Sequence, residues 1–303
     1  MPAQATGDEA LRRGAAAAAE QCVASRHGLH ALFVACAAAA MGLNCVVGLA
    51  GLRDLGYIAF LGAGAYVGAS LSTSGFATIG WKPPFIVVVL LAAVFSGTLG
   101  LIIGAPTLRV NGDYLAIVTL GFGEIVRILF TNWDYVDGPN GIWNIPVPPL
   151  FGLENSPDFL YQDYFYVIGV ILVLIALIFA RNLSLSRLGR GWVAVREDEF
   201  AAEAVGVPTL NLKLLAYTMG GMWAGLAGAF FASRVSAINP SSFTFLLSSQ
   251  ILILIIIGGL GSLGGVILGA TVVVGLPEAL RGMQQTRFLF FAVALILIML
   301  FRP

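Results

Sequence analysis

Ionisable side chains are scarce in this chain, and their positions limit the chemistry it can do. Glu124 and Arg127 lie three residues apart in an apolar run, so on a helix they share a face and can pair. A charge at the centre of a bilayer costs ~2.5–3.5 kcal/mol on insertion scales; this pair lies toward the outer end of its span, where the cost is lower, and still needs a reason. One reason is local packing of a satisfied ion pair. The other is a polar path for a solute alongside it. Thr119, Gly121 and Gly123 precede Glu124 and offer a hydroxyl and bare backbone for hydrogen bonding between apolar walls. Asn44 and Ser262 bring the same uncharged polar chemistry to other apolar stretches. Asn44, Thr119, Gly121, Gly123, Glu124 and Ser262 are therefore the candidate substrate-pathway residues.

No catalytic constellation accompanies them. The sequence has no HExxH and no nucleophile elbow, and its two histidines, His27 and His30, sit where the first apolar run begins. Cys22, Cys36 and Cys45 form neither a CxxC pair nor a metal spacing, so no metal or other cofactor is expected. Lys82 and Lys213, the only lysines, do not follow a Gly-rich phosphate loop. This chain is therefore expected not to be an enzyme, and any ATP-driven work belongs to another polypeptide.

A second cluster of charge runs from Arg187 through Arg190, Arg196, Glu197, Asp198, Glu199 and Glu203, with Phe200 inside it and Gly206 at its end. It lies between two apolar runs and predicts an amphipathic helix over 187–206. Val193, Phe200, Ala204 and Val205 would form its apolar face, and Gly206 its C-terminal cap. Two readings compete, a solvated connector and a docking element for a soluble partner.

The elements that must position these residues follow from composition. With 58% hydrophobic and 11% charged residues and a mean hydropathy of +0.91, the chain is a polytopic membrane protein rather than a soluble domain. Its net charge of zero argues against nucleic acid as a partner. The expected fold is all-α, with roughly 8–10 transmembrane or half-spanning helices. Apolar segments fall near 29–51, 56–72, 83–104, 113–130, 164–180, 210–233, 245–258, 264–280 and 288–301. Several are short, which predicts half-spans or helices broken at glycine. Gly51-Leu52-Arg53-Asp54-Leu55-Gly56 echoes Gly259-Leu260-Gly261-Ser262-Leu263-Gly264, and interrupted segments at matching places point to a transport site near the midplane. Glycines four apart, such as Gly64 and Gly68 or Gly265 and Gly269, predict close helix packing within one bundle.

Charge sets the orientation. The stretch 131–163 has no Lys or Arg and five acidic residues, whereas 181–208 carries Arg181, Arg187, Arg190 and Arg196. By the positive-inside rule, 131–163 is an external loop and 181–208 a cytoplasmic one. Residues 1–28 are expected to be a cytoplasmic tail and 29–303 the membrane domain. Parity leaves a question open: a cytoplasmic tail requires an odd number of crossings between 29 and 72, and the segments there number two.

Gly112-Asp113-Tyr114-Leu115-Ala116-Ile117-Val118-Thr119-Leu120-Gly121-Phe122-Gly123-Glu124-Ile125-Val126-Arg127, followed by Gly138-Pro139-Asn140-Gly141-Ile142, resembles the permease subunits of branched-chain amino acid ABC importers, and among them the LivM-type subunit. The match continues through Leu188-Gly189-Arg190, Ala201-Ala202-Glu203-Ala204-Val205-Gly206, Pro240-Ser241-Ser242-Phe243 and Gly258-Gly259-Leu260-Gly261-Ser262, and covers most of 41–303. The resemblance implies an ABC importer permease fold in the bacterial cytoplasmic (inner) membrane. It implies as partners a second, LivH-type permease subunit, two cytoplasmic ABC ATPase subunits and an external solute-binding protein. It makes 187–206 the coupling helix, with Arg190, Arg196, Glu197, Asp198, Glu199, Phe200, Glu203 and Gly206 as the ATPase-coupling residues. Ala201-Ala202 followed by Gly206 looks like the EAA-type loop of importers, with the acidic residue one place early at Glu199. Arg53-Asp54 departs from the pattern, in a stretch usually free of paired charge. The implied solutes are branched-chain or related neutral amino acids. The alternatives are urea or another small amide or organic acid, or an ATP-independent channel or secondary transporter.

Overall fold

A computed structural model describes residues 26–73, 83–108, 110, 112–136, 138–143, 145 and 158–279. The expected tail over 1–25, much of the external loop and the apolar segment 288–301 lie outside the described residues. The elements in chain order are α1 (Arg26–Leu43), continued by a π-helical turn over Asn44–Leu49, α2 (Ile58–Ser72), α3 (Phe85–Thr107) and α4 (Asp113–Asn132). Then follow β1 (Ile142–Trp143), α5 (Asp158–Leu185), α6 (Arg187–Glu197), α7 (Glu199–Ala204), α8 (Thr209–Val235), β2 (Ala237–Ile238), α9 (Phe245–Gly258) and α10 (Leu263–Ala279).

Length and composition set the roles of these helices. Five helical segments among the described residues are long and apolar enough to cross a membrane, within α3, α4, α5, α8 and the stretch Pro240–Gly258. Three shorter apolar ones, Phe33–Leu49, Ile58–Ser72 and Leu263–Gly275, lie among the same described residues. Pro84 sits in extended conformation just ahead of α3, where its missing N–H costs nothing. The only strand pairing among the described residues is the short antiparallel contact of Ile142 with Ile238 and Trp143 with Ala237.

Helix α8 is the central element and packs against α1, α2 and α3. Small residues make this possible. A side chain on Gly64 of α2 would run into the backbone of Gly225 on α8, and one on Gly225 would meet the Ala92 carbonyl of α3 at 2.5 Å. Backbones this close gain dispersion contacts that replace the hydrophobic drive lipid cannot supply. Helices α9 and α10 form a tight hairpin in the same way, with Gly265 lying against the carbonyl of Gly258. A Gly265→Ala variant should therefore lower stability by ~1–3 kcal/mol, the usual cost of overpacking. A thermal midpoint in detergent unchanged from the parent would contradict that contact.

The bundle has two distinguishable ends. Val34 of α1 shares a cluster with Phe85, Phe165 and Phe230, whose last two rings stack at 5.1 Å. That end also carries the β1–β2 pair. Helices α6 and α7 lie at the other end, between the close of α5 and the start of α8. Helix α1 starts near the aromatic end, and its π-helical turn finishes against α6, where Arg196 Nη1 donates to the Gly48 carbonyl at 2.7 Å.

Candidate functional site

The two echoing segments are both breaks. Residues 50–57 leave the π-helical turn, carry no helix and deliver the chain into α2, while 259–262 separate α9 from α10. They are tied together: the Gly261 N–H donates to Asn44 Oδ1 at 3.0 Å. Asn44 is buried, so its amide serves this bond rather than an open route. Ser262 Oγ accepts from the Gly265 N–H at 3.1 Å and so caps the start of α10. Both residues placed in the pathway on sequence grounds are thus employed in holding the breaks.

The first break climbs from the α6 end to the middle of α4. Asp54 is buried and accepts from the Gly56 N–H at 2.9 Å, a turn of the kind Asp favours. The Leu55 N–H donates to Thr119 Oγ1 at 3.1 Å, and the Leu55 carbonyl accepts from Ser248 Oγ at 2.8 Å. A peptide unit with no helical partner is in this way satisfied by side chains of α4 and α9. Gly56 lies so close to the Thr119 backbone that no larger residue would fit. The break expected from the glycine pattern is present, and Thr119 anchors it.

Beside this anchor lies a small cleft lined by Leu55, Ile58, Leu120, Gly123, Glu124, Phe243 and Phe245. Gly123 presents its backbone there, and a Cβ on it would come 3.3 Å from Gly56 Cα. Glu124 and Arg127 pair on the same helix, with Arg127 Nε donating to Oε1 at 2.9 Å. They lie in the second half of α4, which runs over Asp113–Asn132. Both side chains remain part-exposed within the chain, at 46% for Glu124 and 30% for Arg127. Lipid is a poor cover for such a pair. Gly121 borders open space. Thr119, Gly123 and Glu124 are therefore brought together, whereas Ser262 lies in the second break and Asn44, on the π-helical turn, bonds to it.

At the α6 end the single helix expected over 187–206 is two helices. Asp198 breaks it: extended at φ −155 and ψ 110, it closes α6 and caps α7, its Oδ1 accepting from the Ala201 N–H at 3.0 Å. Asp is neutral to unfavourable inside a helix and strongly favoured at a cap, so the backbone turns there. Ser186 caps α6 likewise, accepting from the Gly189 N–H. Gly206 does end the pair, at φ +86, with its N–H on the Glu203 carbonyl and the Val207 N–H on the Ala202 carbonyl. This is the paired bonding of a left-handed C-terminal cap.

The charged strip read from sequence divides into different tasks. Arg196 turns inward to Gly48, and Glu199 forms an ion pair with Lys213, which is itself buried at the start of α8. Arg190, Glu197 and Glu203 stay on the exposed surface. Phe200 is 82% exposed and Val205 80%, with Val193 and Ala204 also exposed. The face that holds the pair to the bundle is another one: Trp192, Val195 and Ala202 are buried, and Trp192 Nε1 donates to the Leu212 carbonyl at 2.8 Å. Trp192 was not among the residues singled out. Its spacing of three from Gly189 and Val195 was the available signal. Between α6–α7, the first break and the turn into α4 lies a cavity of about 480 Å³, bordered by Arg53, Arg196 and Lys213. Among the described residues no group of His, Cys, Asp and Glu could hold a metal ion.

An all-α polytopic membrane permease is the class that this arrangement defines. The family model for the permease component of the branched-chain amino acid transport system matches residues 27–301, and the chain belongs to that family. It is 40% identical over 283 residues to the high-affinity branched-chain amino acid transport system permease protein LivM of Salmonella typhimurium strain LT2, and 39% identical to its counterpart from Escherichia coli K12. Each match takes in 87% of this chain and 65% of the relative, so the chain spans about two thirds of those proteins. The autoinducer 2 import system permease protein LsrC of Enterobacter sp. strain 638 is 29% identical over 176 residues, 58% of this chain and 46% of that one. No solved structure matches the chain.

Proposed function

We propose that this chain is a permease subunit of an ATP-driven importer that carries branched-chain or related neutral amino acids across the cytoplasmic membrane. The observation that carries this reading is the α6–α7 pair. It is fixed to the bundle by buried Trp192 and Lys213 while it offers Phe200 and Val205 almost fully exposed. An aromatic and an aliphatic side chain presented on a rigid, charged surface fit helix-in-groove docking onto a soluble partner, here a pair of ABC ATPases. A second permease subunit of LivH type would cover the α4 face that bears Glu124 and Arg127. An external solute-binding protein would deliver solute from the end of the β1–β2 pair. With α6–α7 cytoplasmic, helix α1 enters from outside and returns through α2, two passes in all. On this reading the start of α1 would lie outside, whereas 1–28 were expected to be cytoplasmic; of these, 1–25 are outside the described residues.

Complex reconstituted with this subunit is expected to take up leucine only with ATP inside and binding protein outside. Uptake that persists without any ATPase subunit would overturn the reading in favour of a channel or secondary transporter. Urea that competes with leucine at equal concentration would move the solute to the small amides. The solute route is tested separately. Glu124→Gln keeps the shape of the cleft and removes its charge, so it should lower uptake several-fold while the complex assembles normally. Loss of assembly at unchanged specific uptake would instead assign the pair to packing.

A further inference from the structure

We infer that Arg196 is the positioning residue that carries movement of the α6–α7 pair to both helix breaks, and so to the solute cleft. This rests on the reading of the pair as the ATPase-coupling element. The contact lies at an unusual spot. Gly48 is the penultimate residue of the π-helical turn, and a carbonyl at a helix end lacks an intrahelical donor. Arg196 Nη1 supplies one at 2.7 Å, and a cation at the carbonyl end of a helix is also favoured by the helix dipole.

One side of this part-exposed side chain rests on backbone. Its stem lies on Gly51, where a Cβ would come 2.5 Å from Arg196 Cγ, and Gly51 has φ +71, a conformation that glycine adopts without strain. Its guanidinium borders Gly261 of the second break: a Cβ there would be 3.6 Å from Nη1 and 3.3 Å from the Gly48 carbonyl oxygen. Nη2 reaches Glu197 at 2.9 Å, which fixes the fork relative to α6. One side chain thus touches the end of the first half-helix and the middle of the second break with its guanidinium, and the start of the first break with its stem.

What it touches leads to the cleft by short steps. From Gly51 the chain runs four residues to Leu55, whose N–H and carbonyl are bound to Thr119 and Ser248. From Gly261 the bond to Asn44 returns to the first half-helix. Breaks without internal helical bonds are the softest parts of a helix bundle, and discrete rearrangement there is how small displacements become large ones. A displacement of α6 by an ATPase would therefore pull Gly48 and press on Gly51 and Gly261 together. Phe200 has the opposite geometry, facing away from the bundle, so docking and transmission fall on different residues.

The test measures uptake per ATP hydrolysed in the complete reconstituted complex with binding protein. Arg196→Gln should lower that ratio about tenfold while the ATPases still copurify. Arg196→Lys, which keeps a donor for the Gly48 carbonyl, should recover at least half of it. Gly51→Ala pushes on the same stem with the guanidinium intact and should also uncouple. A ratio within twofold of the parent in both Arg196→Gln and Gly51→Ala overturns the inference. So does a variant complex that loses its ATPases, since Arg196 would then be a docking residue. If Arg196→Gln yields no folded complex, Gly51→Ala decides alone. A parent complex with no ATP-dependent uptake would instead fail the coupling reading itself, and the inference with it.

Discussion

A Phe200→Ala variant should insert and fold as the parent does, and lose most of the stimulation of ATP hydrolysis by binding protein. Phe200 is 82% exposed on a two-turn helix, so its ring contributes little to the stability of the isolated chain. The loss must then appear in the complex. Truncation of an aromatic anchor seated in a partner groove commonly costs ~2 kcal/mol or more, which corresponds to about 30-fold in affinity for the ATPase. Val205, equally exposed but smaller and beyond the last helical turn, should cost less when cut to Ala. The neighbouring charges would change on-rate and partner choice more than affinity. The measurement is a titration of purified ATPase against permease complex in detergent at fixed ionic strength. Affinity within threefold of the parent for Phe200→Ala would show that this face is solvated and undocked. Crosslinks from 196–204 that reach only lipid or the binding protein would remove the docking role altogether.

Much of this surface was legible in the sequence, and the reason is local. Gly206 could be read as a helix end because only glycine takes a left-handed φ freely. Phe200 stood out as an aromatic among charges. What could not be read was the break at Asp198. Its carboxylate counts as one more charge on a helix until the turn that needs a cap is known. The assignment of the charges was hidden for a related reason. Arg196 and Glu199 look alike as members of a strip, yet their partners are Gly48 and Lys213, and nothing in the neighbouring sequence announces a contact so far along the chain.

The pathway set shows the same division. Thr119, Gly123 and Glu124 were found together because they lie on one helix, where spacing gives geometry directly. Asn44 and Ser262 have the right chemistry for a solute and a different use in the fold. Asn44 satisfies a backbone N–H of the opposite break, and Ser262 caps the helix that follows it. A buried amide bonds whatever unpaired group is nearest, and residue type alone does not say whether that is a solute or a peptide. The helix breaks themselves were visible as a repeated glycine pattern. Their mutual contact needed the three-dimensional structure.

Trp192→Ala should have the largest effect on stability of any single change in the α6–α7 pair. The ring is fully buried in the main core, and its Nε1 donates to the Leu212 carbonyl in the first turn of α8. Removing a buried Trp costs ~3–5 kcal/mol through lost transfer energy and the cavity left behind. That loss falls on a short amphipathic helix which, apart from this ring and Val195, buries only Gly189. Isolated helices of this length are marginal in water, so α6 would detach from the bundle before the bundle itself unfolds. The expected signature is rapid tryptic cleavage at Arg190 and Arg196, a lowered thermal midpoint and loss of bound ATPase. Trp192→Phe keeps most of the ring and forfeits the N–H donor, so it should lie between, at ~0.5–1.5 kcal/mol. Phe200→Ala should leave the cleavage rate unchanged, which separates a lost anchor from a lost support. If Trp192→Ala is cleaved no faster than the parent, contacts such as that of Arg196 with Gly48 hold α6, and the buried ring is not what keeps the α6–α7 surface in place.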